Sequence, residues 1–433
     1  MLCSNIGINE AGHLTFAGAD TVRLAAHYKT PLYLMDEDRI RENCRIYQDA
    51  MKRAFGEGSY PLYASKAASF KRMYTIMHEE GMSVDVVSVG EIATAKRAGF
   101  PLERAFFHGN YKTDADISYA MGSGVGYFVA DHEDELRAIS REAESRGIRQ
   151  KVLLRLTPGI DPHTYEAVAT GKVDSKFGVA IETGQADEFV RLALNLPNLR
   201  LMGYHCHVGS QVFDEDGSVY HDAAKIMLTF AADMKKRYGF EAPMLDLGGG
   251  YGVRYTDADP AVDIAANIEK LSEAVKGYCE ELGLTVPAVL LEPGRSIVAD
   301  AGMTLYTAGS TKTIPGYKSY VPVDGGMTDN PRYALYRSKY TVFLANRANE
   351  KADFRCDVVG RCCESGDIIQ PDVLLPEPKR GDLIAVCTTG AYNYSMASNY
   401  NRIPRPPVVM LKNGTPAIAV RRETMDDLTS LDS

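Results

Sequence analysis

Eight short apolar runs recur through the first two-thirds of the chain, and a helix-length spacer separates each from the next. They are Tyr60–Lys66, Val84–Ser88, Ala105–His108, Tyr127–Ala130, Val152–Leu156, Leu201–His205, Met244–Leu247 and Ala288–Leu291. Strands buried on both faces read as unbroken apolar runs, and a strand–helix alternation of this kind demands a parallel sheet. Eight units over about 250 residues match the count and span of a closed (β/α)8 TIM-type barrel. An open doubly wound sheet is the alternative that the spacing leaves, but no GxGxxG opens the first helix as a dinucleotide fold requires. Several spacers carry their own helix signals. Asp36 can cap a helix whose apolar positions Ile40, Cys44, Tyr47 and Met51 recur at helical spacing up to Gly56. Phe70, Met73, Ile76 and Met77 mark another that Gly81 closes, and Asp131 to Gly147 a third with Leu136 and Ile139 inward.

Beyond about residue 305 the pattern changes to a period of two, as in Tyr320–Val323, Phe354–Val359 and Leu383–Cys387. Asn413-Gly414 lies between two apolar runs, the strongest short hairpin signal. The stretch around His13–Phe16 is also strand-like. The expected organisation is an N-terminal segment (1–35) that joins a C-terminal β-sandwich or β-barrel domain (306–433), with the (β/α)8 barrel (36–305) between them. No internal repeat or low-complexity tract interrupts this plan.

Composition removes other classes. The chain of 433 residues has 48 Lys+Arg against 57 Asp+Glu, a net charge of −9, which offers no basic footprint for nucleic acid or an anionic membrane. No run approaches the roughly 18 uninterrupted apolar residues of a membrane span, and Met1–Asn5 has no features of an export signal. The eight cysteines form no CxxC pair, and Cys362-Cys363 are adjacent, so neither a zinc site nor a disulfide framework is indicated. Free thiols in the cytoplasm are the expectation, with no metal.

The polar residues collect just after the strands. Lys66 ends the first, His108 the third, Arg155 lies in the fifth, and His205 and His207 close the sixth. Gly248-Gly249-Gly250 follow the seventh and Glu292-Pro293-Gly294-Arg295 the eighth. Catalytic groups of such barrels gather at that mouth, so the convergence points to an enzyme. Lys66 stands among Ala64, Ser65, Ala67 and Ala68, surroundings in which an amine can be desolvated and turned into a nucleophile. A solvated lysine at a strand end fits the same residues. The three glycines offer free N–H groups and close approach for a phosphate, or else only a tight turn. Glu292 and Arg295 read either as a site or as a local ion pair, and His207 to Gln211 as a ligand-facing loop or a core histidine. Cys363-Glu364-Ser365-Gly366-Asp367 is an acidic turn whose cysteine is compatible with a structural thiol.

Taken in order, these segments resemble those of the fold-type III pyridoxal-phosphate (PLP) dependent decarboxylases, and most closely the diaminopimelate decarboxylase family. The resemblance rests on Tyr63-Ala64-Ser65-Lys66, Ser88-Val89-Gly90-Glu91, Lys176-Phe177-Gly178, His207–Gln211, Gly248–Gly250 and Glu292–Arg295. It continues through Asn330–Tyr336, Cys363–Asp367 and Gly390-Ala391-Tyr392, so it runs from about Thr30 to Tyr392. It implies that Lys66 carries PLP, His207 stacks on its ring and Glu292 pairs with the ring nitrogen. Ser210, Gly248, Gly249, Gly250, the Pro293-Gly294-Arg295 segment and Tyr392 would hold the phosphate, while Arg155, Asp85 and Glu91 orient lysine and ring.

The resemblance further implies that Arg295, Arg332, Tyr336 and Tyr392 bind substrate, with the distal carboxylate gripped by the guanidinium forks and Glu364 reading the distal ammonium. Cys363, supplied by the second subunit of a homodimer, would protonate the carbon left by decarboxylation. The substrate implied is meso-diaminopimelate and the product L-lysine. Ornithine, lysine and arginine decarboxylases are the related alternative, but an unpaired Arg332 would penalise a substrate without the second carboxylate. An inactive regulatory homologue is the alternative from another class, although such a chain would be expected to lose the lysine or the glycines. Tyr333 and Arg361 stand where the family commonly has proline.

Overall fold

The computed structural model describes residues 3–160, 174–214 and 217–433. The chain divides into two units, one made of 43–252 and 261–296, the other of 1–42, 253–260 and 297–433.

In the first unit the eight apolar runs form eight parallel strands. They span Tyr60–Ala64, Ser83–Val86, Ala105–Phe107, Tyr127–Ala130, Gln150–Thr157, Leu199–His205, Met244–Asp246 and Ala288–Leu291. Each pairs with its successor, and the last returns to the first through Leu290 opposite Tyr60 and Leu291 opposite Pro61, so the sheet closes. Helices Lys71–Glu79, Val89–Arg97, Asp114–Gly122, Glu133–Ser145, Gln185–Asn195, Ser218–Tyr238 and Ile264–Leu282 fill the successive spacers. Their starts follow from local chemistry. Thr113 and Asp116 form a reciprocal capping box, and the Asp263 side chain accepts the Ala266 N–H.

Leu62, Phe106, Val129, Leu153, Met202, Met244 and Leu290, one from each of seven strands, form a buried apolar cluster. It is a packed core, with Phe106 stacked on Tyr127 at 4.2 Å between centroids. The sixth strand shifts register between Leu201 and Gly203. Gly203 has φ +147°, and a Cβ there would lie 1.9 Å from the Met244 carbonyl oxygen, so only glycine fits this bulge.

The second unit is built on sheets. A six-stranded sheet runs in the order Val342–Leu344, Leu383–Cys387, Gly302–Thr307, Leu32–Asp36, Val408–Lys412 and Thr415–Val420. The N-terminal strand Leu32–Asp36 is thus interior to a sheet made of C-terminal strands, pairing antiparallel with one neighbour and parallel with the other. Leu14, Phe16, Leu32, Leu34, Met303, Leu305, Val409 and Leu411 share its core. Asn413 and Gly414 join the last two strands with φ +49° and +72°, the two left-handed residues that a tight hairpin turn needs. A second, four-stranded sheet holds Lys312–Ile314, Lys318–Pro322, Phe354–Val359 and Ile368–Leu375.

None of the eight cysteines is joined in a disulfide. Among the described residues no helix is long and apolar enough to cross a membrane.

Beside the barrel strands a buried ammonium ties three elements together. Lys112 Nζ donates to the Gly109 and Val129 carbonyls at 3.0 and 2.8 Å and to Glu135 Oε1 at 2.8 Å. Burial lowers Lys112 and raises Glu135, so both are drawn toward neutrality, and the ion pair opposes that pull. Lys112→Met removes one partner and leaves a buried carboxylate. It is expected to cost about 3–5 kcal/mol, read as a lowered urea midpoint; an unchanged midpoint would show that Glu135 neutralises without loss.

Candidate active site

The C-terminal ends of the barrel strands converge as the parallel topology requires. The first strand ends at Ala64, and Ser65–Ala67 turn in a 3-10 helix that presents Lys66 as an exposed side chain between buried neighbours. Lys66 is not sealed in its small-residue surroundings; its charge acts on Asp85, Glu91 and His207. Asp85, in the second strand, is 2% exposed, and burial raises it.

The Ser88–Glu91 segment proves to be a helix start. Ser88 Oγ accepts the Glu91 N–H at 3.2 Å, and Glu91 Oε2 accepts the Val87 N–H at 2.7 Å. Burial, with the charge of Asp85 alongside, pushes Glu91 up to about 7. The Lys176–Gly178 segment also finds a place, because the Arg155 guanidinium lies 4.4 Å from the Phe177 ring centroid. Asp131 stands beside it, 3.9 Å from Arg155 Nε through one oxygen and accepting the Gly178 N–H at 3.0 Å through the other.

The loops after strands six, seven and eight lock together. Gly249 N–H donates to His207 Nδ1 at 3.2 Å, Gly248 N–H to Asp246 Oδ1 at 2.9 Å, and Arg295 Nη2 to Ser210 Oγ at 3.1 Å. A Cβ on Gly249 would lie 2.0 Å from the Glu292 carbonyl oxygen, and Gly248 has φ +70°, so both positions demand glycine. The Pro293 carbonyl accepts the Ala64 N–H at 3.0 Å, which fastens the eighth loop to the lysine segment.

Glu292 is 7% exposed and pairs with histidines, not with Arg295. Its Oε1 is 2.9 Å from His108 Nε2, and its Oε2 is 3.4 Å from His205 Nε2. Burial alone would raise its carboxyl, yet the two imidazoles hold it well below the usual range. The opposite holds for Asp246, which burial and the Glu292 charge push well up. Burial brings His205 down to about 4, and burial with the Lys66 charge takes His207 well below its ordinary value. The mouth therefore keeps one carboxylate charged by surrounding it with groups that yield to it.

This cluster, drawn from the third, sixth and eighth strands, was not readable from local spacing. Its donor atoms lie within 4.8 Å of one another, a grouping that could attract a metal. Zinc at about 2.0–2.2 Å from each ligand keeps tetrahedral neighbours roughly 3.3 Å apart, so the 2.9 Å approach of His108 to Glu292 reads as an ion pair.

The other sequence-predicted residues lie in the sheet unit. Arg332 is 5% exposed and opens the short helix Arg332–Tyr336. Its guanidinium stands 5.1 Å from the ring centroids of both Tyr336 and Tyr392, and its buried Nε has no hydrogen-bond partner. Cys363 and Glu364 are exposed, whereas Cys362 is buried. Their loop is held by contacts that sequence reading missed. Tyr400 Oη donates to Glu364 Oε1 at 2.5 Å, and the Cys363 N–H donates to Asn401 Oδ1 at 2.8 Å. Asp367 closes it from inside, taking the Cys362 and Met327 N–H groups at 2.7 and 2.6 Å.

Comparison with known proteins agrees with this chemistry. Residues 37–299 match the family model of the pyridoxal-dependent decarboxylases, pyridoxal binding domain. A diaminopimelate decarboxylase of Bacillus subtilis is 45% identical over 424 residues, covering 98% of this chain and 96% of that protein. A crystal structure of the diaminopimelate decarboxylase from M. jannaschii in co-complex with L-lysine superposes with a TM-score of 0.90 at 30% identity, covering 99% of this chain and 98% of that one. A lysine/ornithine decarboxylase from Vibrio vulnificus, complexed with putrescine, is more distant at 25% identity and TM-score 0.76, covering 91% and 98% of the two chains. With a barrel matched from end to end and identity sustained over nearly its whole length, this chain belongs to the diaminopimelate decarboxylase family of pyridoxal-dependent decarboxylases.

Proposed function

We propose that the chain decarboxylates meso-diaminopimelate to L-lysine and carbon dioxide. The residues present suit PLP: a lysine amine at the mouth for its aldehyde, a buried anion for its ring nitrogen, and a close-packed glycine loop beside the Ser210 hydroxyl and the Arg295 guanidinium for its phosphate. When bound, PLP supplies an electron sink for the pair released as the carbon–carboxylate bond breaks.

Lys66 would hold the cofactor through its aldehyde. His207 would lie against its ring, and Glu292 would pair with its ring nitrogen. Ser210, Gly248–Gly250, the Pro293–Arg295 segment and Tyr392 bind the phosphate. Asp85, Glu91 and Arg155 orient the lysine and ring. Cys363, given by the second subunit of a homodimer, delivers a proton to the α-carbon once carbon dioxide has gone. Free thiols throughout the chain fit a cytoplasmic enzyme.

Arg332 carries the choice of substrate. A guanidinium buried between two tyrosine rings, with an unpartnered Nε, is costly until a carboxylate reaches it. Diaminopimelate brings a second carboxylate; lysine and ornithine do not. Arg295 and Tyr336 complete that grip, and Glu364 pairs with the distal ammonium.

Carbon dioxide release from a panel of meso-diaminopimelate, lysine, ornithine and arginine tests the substrate; equal turnover of any of the last three would overturn it. Arg332→Met is expected to raise KM for diaminopimelate about thirtyfold or more while PLP binding stays near wild type. Lys66→Ala should abolish both the lysine-bound cofactor absorbance and turnover, so an active variant refutes its role. Cys363→Ala should retain the cofactor but slow lysine formation by about a hundredfold or more. A wild-type rate would make this thiol structural.

A further inference from the structure

We infer that His108 is a positioning residue of the cofactor seat: with His205 it fixes Glu292 as an oriented anion for the PLP ring nitrogen. The inference rests on the seat proposed above and names what makes it work.

Glu292 presents two oxygens, and an imidazole from a different strand faces each one, 2.9 Å from His108 Nε2 and 3.4 Å from His205 Nε2. The two rings meet edge to face, 4.9 Å between centroids at 73°, so each limits the rotation of the other. His108 is 4% and His205 1% exposed, so bulk solvent does not reach either ring. A carboxylate has about four lone-pair directions, so two imidazoles can fix its plane and still leave places for a ring N–H. His108 Nε2 stands this close to Oε1 without an aligned hydrogen bond between them, and a small turn of either side chain would form one.

The other groups around Glu292 sharpen the argument. Asp246 from the seventh strand and Asp85 from the second are also buried acids, and a negative charge on either would compete with that of Glu292. Lys66, Arg155 and His207 act on the same cluster. Of the acids only Glu292 has an imidazole facing each oxygen, and it alone is held well below its ordinary range while the other two are raised. His108 therefore acts on Glu292 by direct contact and also bears on Asp85, and with His205 it sets the plane of the Glu292 carboxylate. Without it, Glu292 is freer to turn or to take up a proton, and the ring nitrogen loses its oriented counter-ion.

The test uses apo chains titrated with PLP followed by absorbance, and holoenzyme loaded with PLP labelled with 15N in the ring. His108→Leu is expected to weaken PLP binding about tenfold or more and to move the ring-nitrogen resonance toward the unprotonated position. His108→Gln, which places a neutral donor near the same spot, should restore most of both. Wild-type affinity and resonance in His108→Leu would overturn the inference, as would equal damage in His108→Gln. If His108→Leu fails to fold, the resonance in His108→Gln and His205→Gln decides: one close to wild type supports the inference and one fully displaced refutes it. Glu292→Gln separates the two layers of argument. If it leaves the resonance unmoved, the assignment of Glu292 to the ring nitrogen fails. If it moves the resonance while His108→Leu does not, only the role of His108 fails.

Discussion

A carboxylate buried at the mouth of a closed barrel is costly to keep charged, and Glu292 is held there by groups from several barrel strands. An isolated ionised carboxyl in such surroundings would take up a proton rather than bear the cost of desolvation. Two imidazoles prevent that here, and they reach Glu292 only because the sheet closes, with the eighth strand returning to the first. The glycines serve the same end. Gly249 lets its loop pack directly on the Glu292 backbone, and the Pro293 carbonyl binds the lysine segment in turn. Closure of the barrel, position of the acid and presentation of Lys66 are one constraint seen from three sides.

Buried charge takes two forms in this chain, and the contrast separates structure from function. Lys112 is satisfied locally, by two carbonyls and Glu135, and nothing about it remains to be bound. Arg332 has aromatic faces but, among the described residues, an Nε without a partner, and Glu292 hydrogen-bonds His205 through Oε2 while its Oε1 has no aligned partner. A charge left partly unmet in a well-packed protein is a cost that binding can recover. On that criterion the two exceptions are the places where a ligand can recover the cost, which is what the proposed function asks of them.

The barrel was legible because its strands are buried on both faces, so an unbroken apolar run is its direct imprint, and the polar residues at the run ends marked the mouth. The hairpin at Asn413-Gly414 was legible because left-handed backbone restricts residue choice. Contacts that depend on closure were not. In the sequence His108 reads only as a strand-end residue, since Glu292 is far away along the chain and no short spacing links them. The Ser88–Glu91 segment resembled part of a cofactor site; its immediate physical role is to start a helix, which then sets Glu91 beside Asp85. Tyr400 and Asn401, which hold the Cys363-Glu364 turn, carried no signal at all, because a tyrosine and an asparagine in a loop suit many roles.

That turn shows how a chain can depart from a family pattern without losing its geometry. Adjacent cysteines face opposite ways, Cys362 inward and Cys363 to solvent, because Asp367 pins the Cys362 N–H. Upstream, Arg361 replaces the proline common in the family and gives up its restriction of the unfolded chain, worth about 0.4–1 kcal/mol. In exchange the Arg361 N–H donates to the Gly325 carbonyl at 2.9 Å, a bond proline cannot make, with a net contribution of about 0.5–1.5 kcal/mol. The two effects are of similar size, so the substitution is close to neutral for stability. Asp367, Asn401 and the Arg361 amide fix the backbone on either side of the Cys363 thiol.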